Sequence, residues 1–113
     1  MKVKVGIAQM SCVADKQQNI ARYTEKVRQL AAEGAQIVCL QELFASLYFC
    51  DEERYENFKL AEPIPEGPTC QHFMALAKEL SAQAENKKAV LRAEAEAKLS
   101  KAASLVVERI VNS

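Results

Sequence analysis

Residues 1–40 contain two short apolar segments of different pattern. Val3, Val5 and Ile7 alternate with polar or small residues, which predicts a strand with one buried face. Residues 37–40 are apolar without a break, which predicts a strand buried on both faces. Gly6 lies inside the first strand and indicates a close approach by another part of the backbone.

The sequence between these strands has the pattern of an amphipathic helix. Its apolar positions recur every three or four residues, at Ile20, Tyr23, Val27, Leu30 and Ala31. Asp15 can cap the first turn, with Gln18 completing a capping box, and Gly34 can end the helix in the left-handed conformation. A strand, a helix and a buried strand in this order predict a βαβ unit and an α/β fold.

A loop and a proline-rich connector follow the second strand. Residues 43–58 are rich in aromatic side chains, and we expect a loop or a helical turn over the end of the sheet. Residues 61–68 contain three prolines, so they can form neither a helix nor a central strand. Thr69 can cap the next helix, whose apolar face would comprise Phe73, Leu76, Ala77 and Leu80.

The character of the sequence changes after residue 81. Residues 82–101 contain no aromatic residue, glycine or proline and are dominated by Ala, Glu and Lys, which predicts a long helix. Its apolar positions form one narrow stripe of Leu91, Ala95, Leu99, Ala102, Val106 and Ile110. Such a stripe is typical of a helix that pairs with another helix. We therefore divide the chain into a domain at residues 1–81 and an amphipathic helix at residues 82–113.

Composition narrows the classes of function. The chain has 113 residues, enough for one small domain, and its 15 basic and 15 acidic residues offer no basic patch for nucleic acid. No segment is long and apolar enough to span a membrane. The four cysteines form no CxxC pair and no glycine-rich loop occurs, so we expect neither a metal site nor a bound cofactor. Cysteines without a secretory signal predict a cytoplasmic protein.

Glu42 is the strongest candidate for a catalytic residue. With Gln41, it provides the first polar side chains after the second strand. In open α/β sheets, ligands bind beyond the carboxyl ends of the strands. The position therefore predicts that Glu42 borders a binding site, and a solvated glutamate at the end of a strand is the alternative interpretation.

Four stretches of sequence carry a more specific signal. They are residues 5–10 (VGIAQM), 34–44 (GAQIVCLQELF), 48–50 (YFC) and 60–65 (LAEPIP). In this order and spacing they resemble the nitrilase superfamily of carbon–nitrogen hydrolases over residues 1–80, and within it the N-carbamoylputrescine amidases. The resemblance implies the N-terminal βαβ portion of an αββα sandwich, followed here by an unrelated long C-terminal helix.

The resemblance also implies a chemistry. Members of the family hydrolyse a linear amide or carbamoyl C–N bond with a glutamate, a lysine and a cysteine, without a metal or cofactor. Glu42 matches the family's glutamate, which acts as a base towards the cysteine thiol and the attacking water. The resemblance implies a small amide or carbamoyl substrate for the family. The family's lysine and cysteine lie further along the fold, so we expect this chain to be inactive alone.

Two alternatives remain open. The first is a non-enzymatic protein that associates through the stripe at residues 91–110, with another copy of itself or with another helix. The second makes Cys50 a nucleophile paired with Glu42, although no oxyanion donor is visible in the sequence. Residues 82–113 loosely resemble the stalk helices of rotary ATPases, which suggests a chimeric or truncated reading frame. Because half of the family's sandwich is missing, we also expect a weakly stable or self-associating protein.

Overall fold

The computed structural model describes all 113 residues of the chain. The elements are β1 (Val5–Ala8), α1 (Lys16–Ala32), β2 (Ile37–Leu40), a 3₁₀ turn (Tyr55–Leu60) and α2 (Pro68–Val111). The two strands are parallel neighbours, with Val5 opposite Ile37 and Ala8 opposite Leu40. The predicted α/β fold, a βαβ unit followed by a long C-terminal helix, is confirmed. The chain divides into two compact units, Met1–Lys78 and Glu79–Ser113.

The buried face of β1 carries its small residues. Gly6 and Ala8 are buried, whereas Val5 and Ile7 are 54% and 74% exposed. The prediction that Val3, Val5 and Ile7 form the buried face is therefore wrong. The physical reason is the close approach of α1, because a Cβ atom on Gly6 would lie 3.1 Å from Leu30 Cδ1. The close approach expected at Gly6 is present, but it is made by side-chain atoms of Leu30 and Ala35 and not by backbone.

β2 is also exposed on one side. Ile37 and Cys39 are exposed, while Val38 and Leu40 are half-buried, so the prediction of burial on both faces is wrong. Ile37 and Cys39 pair with the exposed Val5 and Ile7 and extend the same face. A strand is buried on both faces only when a layer of structure covers each of them, and in this chain one face of the two-stranded sheet has no such layer.

Both predicted ends of α1 are confirmed. The Asp15 carboxylate accepts hydrogen bonds from the backbone N–H groups of Gln17 at 2.9 Å and Gln18 at 3.1 Å. At the other end Gly34 adopts a φ of +94°, and the next residue, Ala35, donates its N–H to the Leu30 carbonyl at 3.0 Å. This arrangement satisfies the last carbonyls of the helix and turns the chain into β2.

The first turn of α2 differs by one residue from the expectation. The helix begins at Pro68, so Thr69 lies inside the helix and does not cap it. Proline suits the first helical position because it has no N–H that would be left without a partner. Further along, Leu76 is buried, and every residue from 81 to 113 is exposed. Neither helix combines the length and the apolar character needed to cross a bilayer.

Candidate functional site

Glu42 lies two residues beyond the carboxyl end of β2. Its side chain is exposed and borders two clefts of the Met1–Lys78 unit, with volumes of about 870 Å³ and about 370 Å³. The smaller cleft is lined by the loops after β1 and β2. The larger cleft is lined by the segment after β2, together with Lys16 of α1 and with Thr69 and Cys70 of α2. An exposed carboxylate at this edge of a parallel sheet can accept a proton from a group that enters either cleft.

Gln41 holds the loop that carries Glu42. Its side-chain oxygen accepts a hydrogen bond from the backbone N–H of Met10 at 2.9 Å. Its amide nitrogen donates to the Leu43 carbonyl at 3.5 Å and approaches Cys12 Sγ at 3.6 Å. One half-buried amide thus ties the loop after β1 to the loop after β2. In the sequence, Gln41 is recognisable only as a polar residue at the end of a strand, and its positioning role was not predicted.

Cys12 contributes to the same join between the two loops. Its thiol donates to the carbonyl oxygens of Phe44 at 3.2 Å and Leu43 at 3.6 Å. The neighbouring Tyr23 is 1% exposed, and its hydroxyl donates to the Met10 carbonyl at 3.4 Å. Burial raises the pKa of Tyr23, and the nearby Cys12 thiol raises it further. Cys12 therefore serves the packing of the loops.

Aromatic contacts hold the loop after β2 against the two helices. The Phe44 ring lies edge-on to Tyr23, with centroids 5.6 Å apart, and edge-on to Phe73 at 5.5 Å. Edge-to-face pairs of this kind stabilise a fold by more than the burial of their surface area alone would do. Phe44 therefore joins the segment after Glu42 to α1 and to the first part of α2.

Glu62 is another acidic group on the larger cleft. Its carboxylate accepts hydrogen bonds from Lys16 Nζ, from the Thr69 hydroxyl and, at 2.9 Å, from the Thr69 backbone N–H. The Lys16 ammonium first, and then Thr69, lower the pKa of Glu62 to about 2. Glu62 therefore caps α2 and fastens the proline-rich connector to the start of α1. No local sequence pattern predicts this role.

The cysteines are divided between different surfaces. Cys50 and Cys70 border the larger cleft with Glu42, Cys12 borders the smaller one, and Cys39 is exposed on the sheet. All four thiols are free. Glu42 and Cys50 share a cleft without a hydrogen bond between them, and no three His, Cys, Asp or Glu side chains converge as metal ligands.

This chain matches one protein family and several individual proteins. Residues 4–83 match the carbon–nitrogen hydrolase family. The chain is 40% identical over 79 residues to N-carbamoylputrescine amidase of Arabidopsis thaliana, covering 70% of this chain and 26% of the relative. The enzyme of the same name from Oryza sativa subsp. japonica is 38% identical over 79 residues, with coverages of 70% and 26%.

A citrullinase is also similar. The protein of that name from Francisella tularensis subsp. tularensis is 35% identical over 75 residues, which cover 66% of this chain and 26% of the relative. The chain thus spans about a quarter of the length of the curated relatives it matches. The resemblance seen in the four sequence stretches is confirmed.

Proposed function

This chain belongs to the carbon–nitrogen hydrolase family, and we propose that residues 1–81 form the part of such a hydrolase that carries its general base, Glu42. The observation that supports this most directly is the position of Glu42 beyond the end of β2, exposed to both clefts. The Gln41 hydrogen bond to Met10 restricts the loop. A base must be held in place to reach the proton it removes.

The proposed substrate is a linear ureido compound. Two of the relatives are named for N-carbamoylputrescine and for citrulline, and both molecules end in a ureido group, R–NH–CO–NH₂. Hydrolysis with one water yields the amine R–NH₂, carbon dioxide and ammonia. The larger cleft, of about 870 Å³, is lined by Glu42 and by several aromatic side chains, which suits a short aliphatic chain with a polar end.

The proposed mechanism divides the work among three groups, as the family resemblance implies. Glu42 accepts the proton of a cysteine thiol, and the thiolate attacks the carbonyl carbon of the substrate. The C–N bond to the terminal NH₂ group then breaks as Glu42 returns the proton, so that ammonia leaves and a carbamoyl thioester remains. A lysine stabilises the oxyanion that develops, and Glu42 then activates the water that releases the enzyme-bound carbonyl group. We place the lysine and the cysteine outside residues 1–81, so the 113-residue chain alone is expected to release no ammonia.

A hybrid enzyme tests this proposal. Residues 1–80 of this chain replace the segment that they match in the Arabidopsis thaliana amidase, and ammonia release from N-carbamoylputrescine and citrulline is measured. We expect a folded hybrid that hydrolyses at least one of the two compounds, while the 113-residue chain hydrolyses neither. A folded hybrid without activity would contradict the proposal, and activity of the chain alone would assign the nucleophile to one of its own cysteines.

A second candidate function is association through residues 82–113. The observation that favours it is the exposure of the large side chains in the predicted stripe, from 54% at Leu91 to 72% at Leu99. Water-exposed leucine, valine and isoleucine at regular helical spacing favour pairing with another helix. In this candidate function the helix brings copies of the protein together, and the hydrolase segment has no catalytic role.

A further inference from the structure

The exposed part of α2 contains an internal repeat of eleven residues. Five residues recur eleven positions later, with Leu80, Ala82, Ala84, Glu85 and Lys87 followed by Leu91, Ala93, Ala95, Glu96 and Lys98. The basic residue recurs once more as Arg109. Eleven residues complete three turns of about 3.67 residues, so equivalent positions in the repeat lie on the same side of the helix.

The apolar stripe follows the same period. Its positions are spaced by four, four, three, four and four residues, so residues 91, 95 and 99 recur eleven residues later as residues 102, 106 and 110. We call the side chains at these six positions the seam. The preceding position of the pattern holds Lys88, which pairs with Glu85 of its own helix at 3.4 Å. The seam therefore begins at Leu91, and its leucine, valine and isoleucine side chains are all exposed.

Charges of opposite sign lie along the two edges of the seam. On a helix of this period, Lys87, Lys98 and Arg109 lie about 65° to one side of the seam's centre. Glu85 and Glu96 lie about 100° to the other side. We call the side with Lys87, Lys98 and Arg109 the basic edge and the side with Glu85 and Glu96 the acidic edge. Glu94 lies on the basic edge and Arg92 lies on the acidic edge, so the charges of this pair are reversed.

The distribution of these charges selects one orientation for a second helix. In a parallel pair of helices each edge faces the opposite edge of the partner helix, whereas in an antiparallel pair each edge faces its own equivalent. We propose that two copies of this chain pair through the seam in parallel and in register. Lys87 then lies near Glu85 of the second copy, and Lys98 lies near Glu96 of the second copy.

The reversed pair fits the same arrangement. The two contacts of Lys87 and Lys98 each join a residue of one copy to the position two residues earlier in the second copy. The same offset of two places Glu94 near Arg92 of the second copy. All three contacts are therefore attractive, and the symmetry of the dimer repeats each of them. An antiparallel pair would place Lys87, Lys98 and Arg109 along the equivalent basic edge, where like charges repel.

The inference rests on the second candidate function, association through residues 82–113, and adds the partner and its orientation. Sedimentation equilibrium of the full chain under reducing conditions measures the association. Lys98→Glu places like charges across both edges of a parallel pair, and we expect about tenfold weaker dimerisation. Lys101→Glu makes the same change of charge on the far side of the helix from the seam and is expected to leave the dimer unchanged.

A cysteine at the end of the helix reports the orientation directly. In a parallel pair the two copies of residue 113 are adjacent, so Ser113→Cys is expected to form a 113–113 disulfide on mild oxidation, identified by mass spectrometry of the linked peptides. Circular dichroism checks that each variant keeps its helix. A chain that stays monomeric at every concentration overturns the second candidate function. A dimer without the 113–113 link, and insensitive to Lys98→Glu, overturns the parallel pairing alone.

Discussion

The two units of the chain are stabilised in different ways. In Met1–Lys78, the buried residues Ala8, Tyr23 and Leu76 come from β1, α1 and the first part of α2. In Glu79–Ser113 no residue is buried. The first unit therefore depends on contacts between distant parts of the sequence, and the second depends on local helix propensity. Both clefts lie in the first unit, and the second unit leaves its apolar side chains exposed.

Removal of the central aromatic side chain should have the largest effect. Tyr23→Ala removes a ring that is 1% exposed and packs against Phe44, and we expect a loss of about 3 kcal/mol from the free energy of unfolding of the first unit. Urea denaturation with hydrogen exchange at β1 and β2 measures it. Tyr48→Ala, at a side chain that is 70% exposed, is the control. Equal losses from the two variants would contradict a core centred on Tyr23.

A smaller effect is expected at the join between the two loops. Gln41→Ala leaves the Met10 N–H without its partner, which should cost about 1–2 kcal/mol. In the hybrid enzyme the same change should lower the rate of ammonia release, because the loop of Glu42 is held less firmly. Gln9→Ala, at an exposed glutamine on the smaller cleft, is the matched control. Unchanged stability and activity of Gln41→Ala would remove the positioning role.

The connector should make the first unit sensitive to acid. The pKa of Glu62 is lowered from 4.5 to about 2, so its stabilising contribution is complete above about pH 4.5 and is lost as the pH falls towards 2. We expect Glu62→Gln to cost about 1 kcal/mol at neutral pH and progressively less in acid. Urea midpoints between pH 7 and pH 2.5 measure the difference, with Glu66→Gln as the control. A difference that is independent of pH would contradict this role.

The smallest effect on the isolated chain is expected in the second unit. Leu99 is 72% exposed, so Leu99→Ala should change the stability of the first unit by less than about 0.5 kcal/mol. The same variant should weaken self-association, because Leu99 lies in the seam. Val90→Ala, at an exposed valine on the same far side of the helix as Lys101, should not weaken it. A large loss of stability in the first unit after Leu99→Ala would contradict the separation of the two units.

The sequence predicted what local patterns determine. The ends of α1 followed from Asp15 and Gly34, and the order of strands and helices followed from the apolar periodicity. The buried face of β1 could not be predicted from the alternation of Val3, Val5 and Ile7, because burial depends on which layers cover the sheet. Gln41 and Glu62 were missed because each bonds to a partner at least 31 residues away, and no periodicity marks such contacts.

The measurement that tests the central claim most directly is ammonia release by the hybrid enzyme carrying Glu42→Gln. Glu53→Gln is the matched control, since Glu53 is exposed on the same larger cleft. If Glu42 is the general base, its substitution lowers kcat at least about 100-fold, while Glu53→Gln changes kcat little. Retention of activity by a folded Glu42→Gln hybrid, at the level of the Glu53→Gln control, would contradict the assignment of Glu42 as the base.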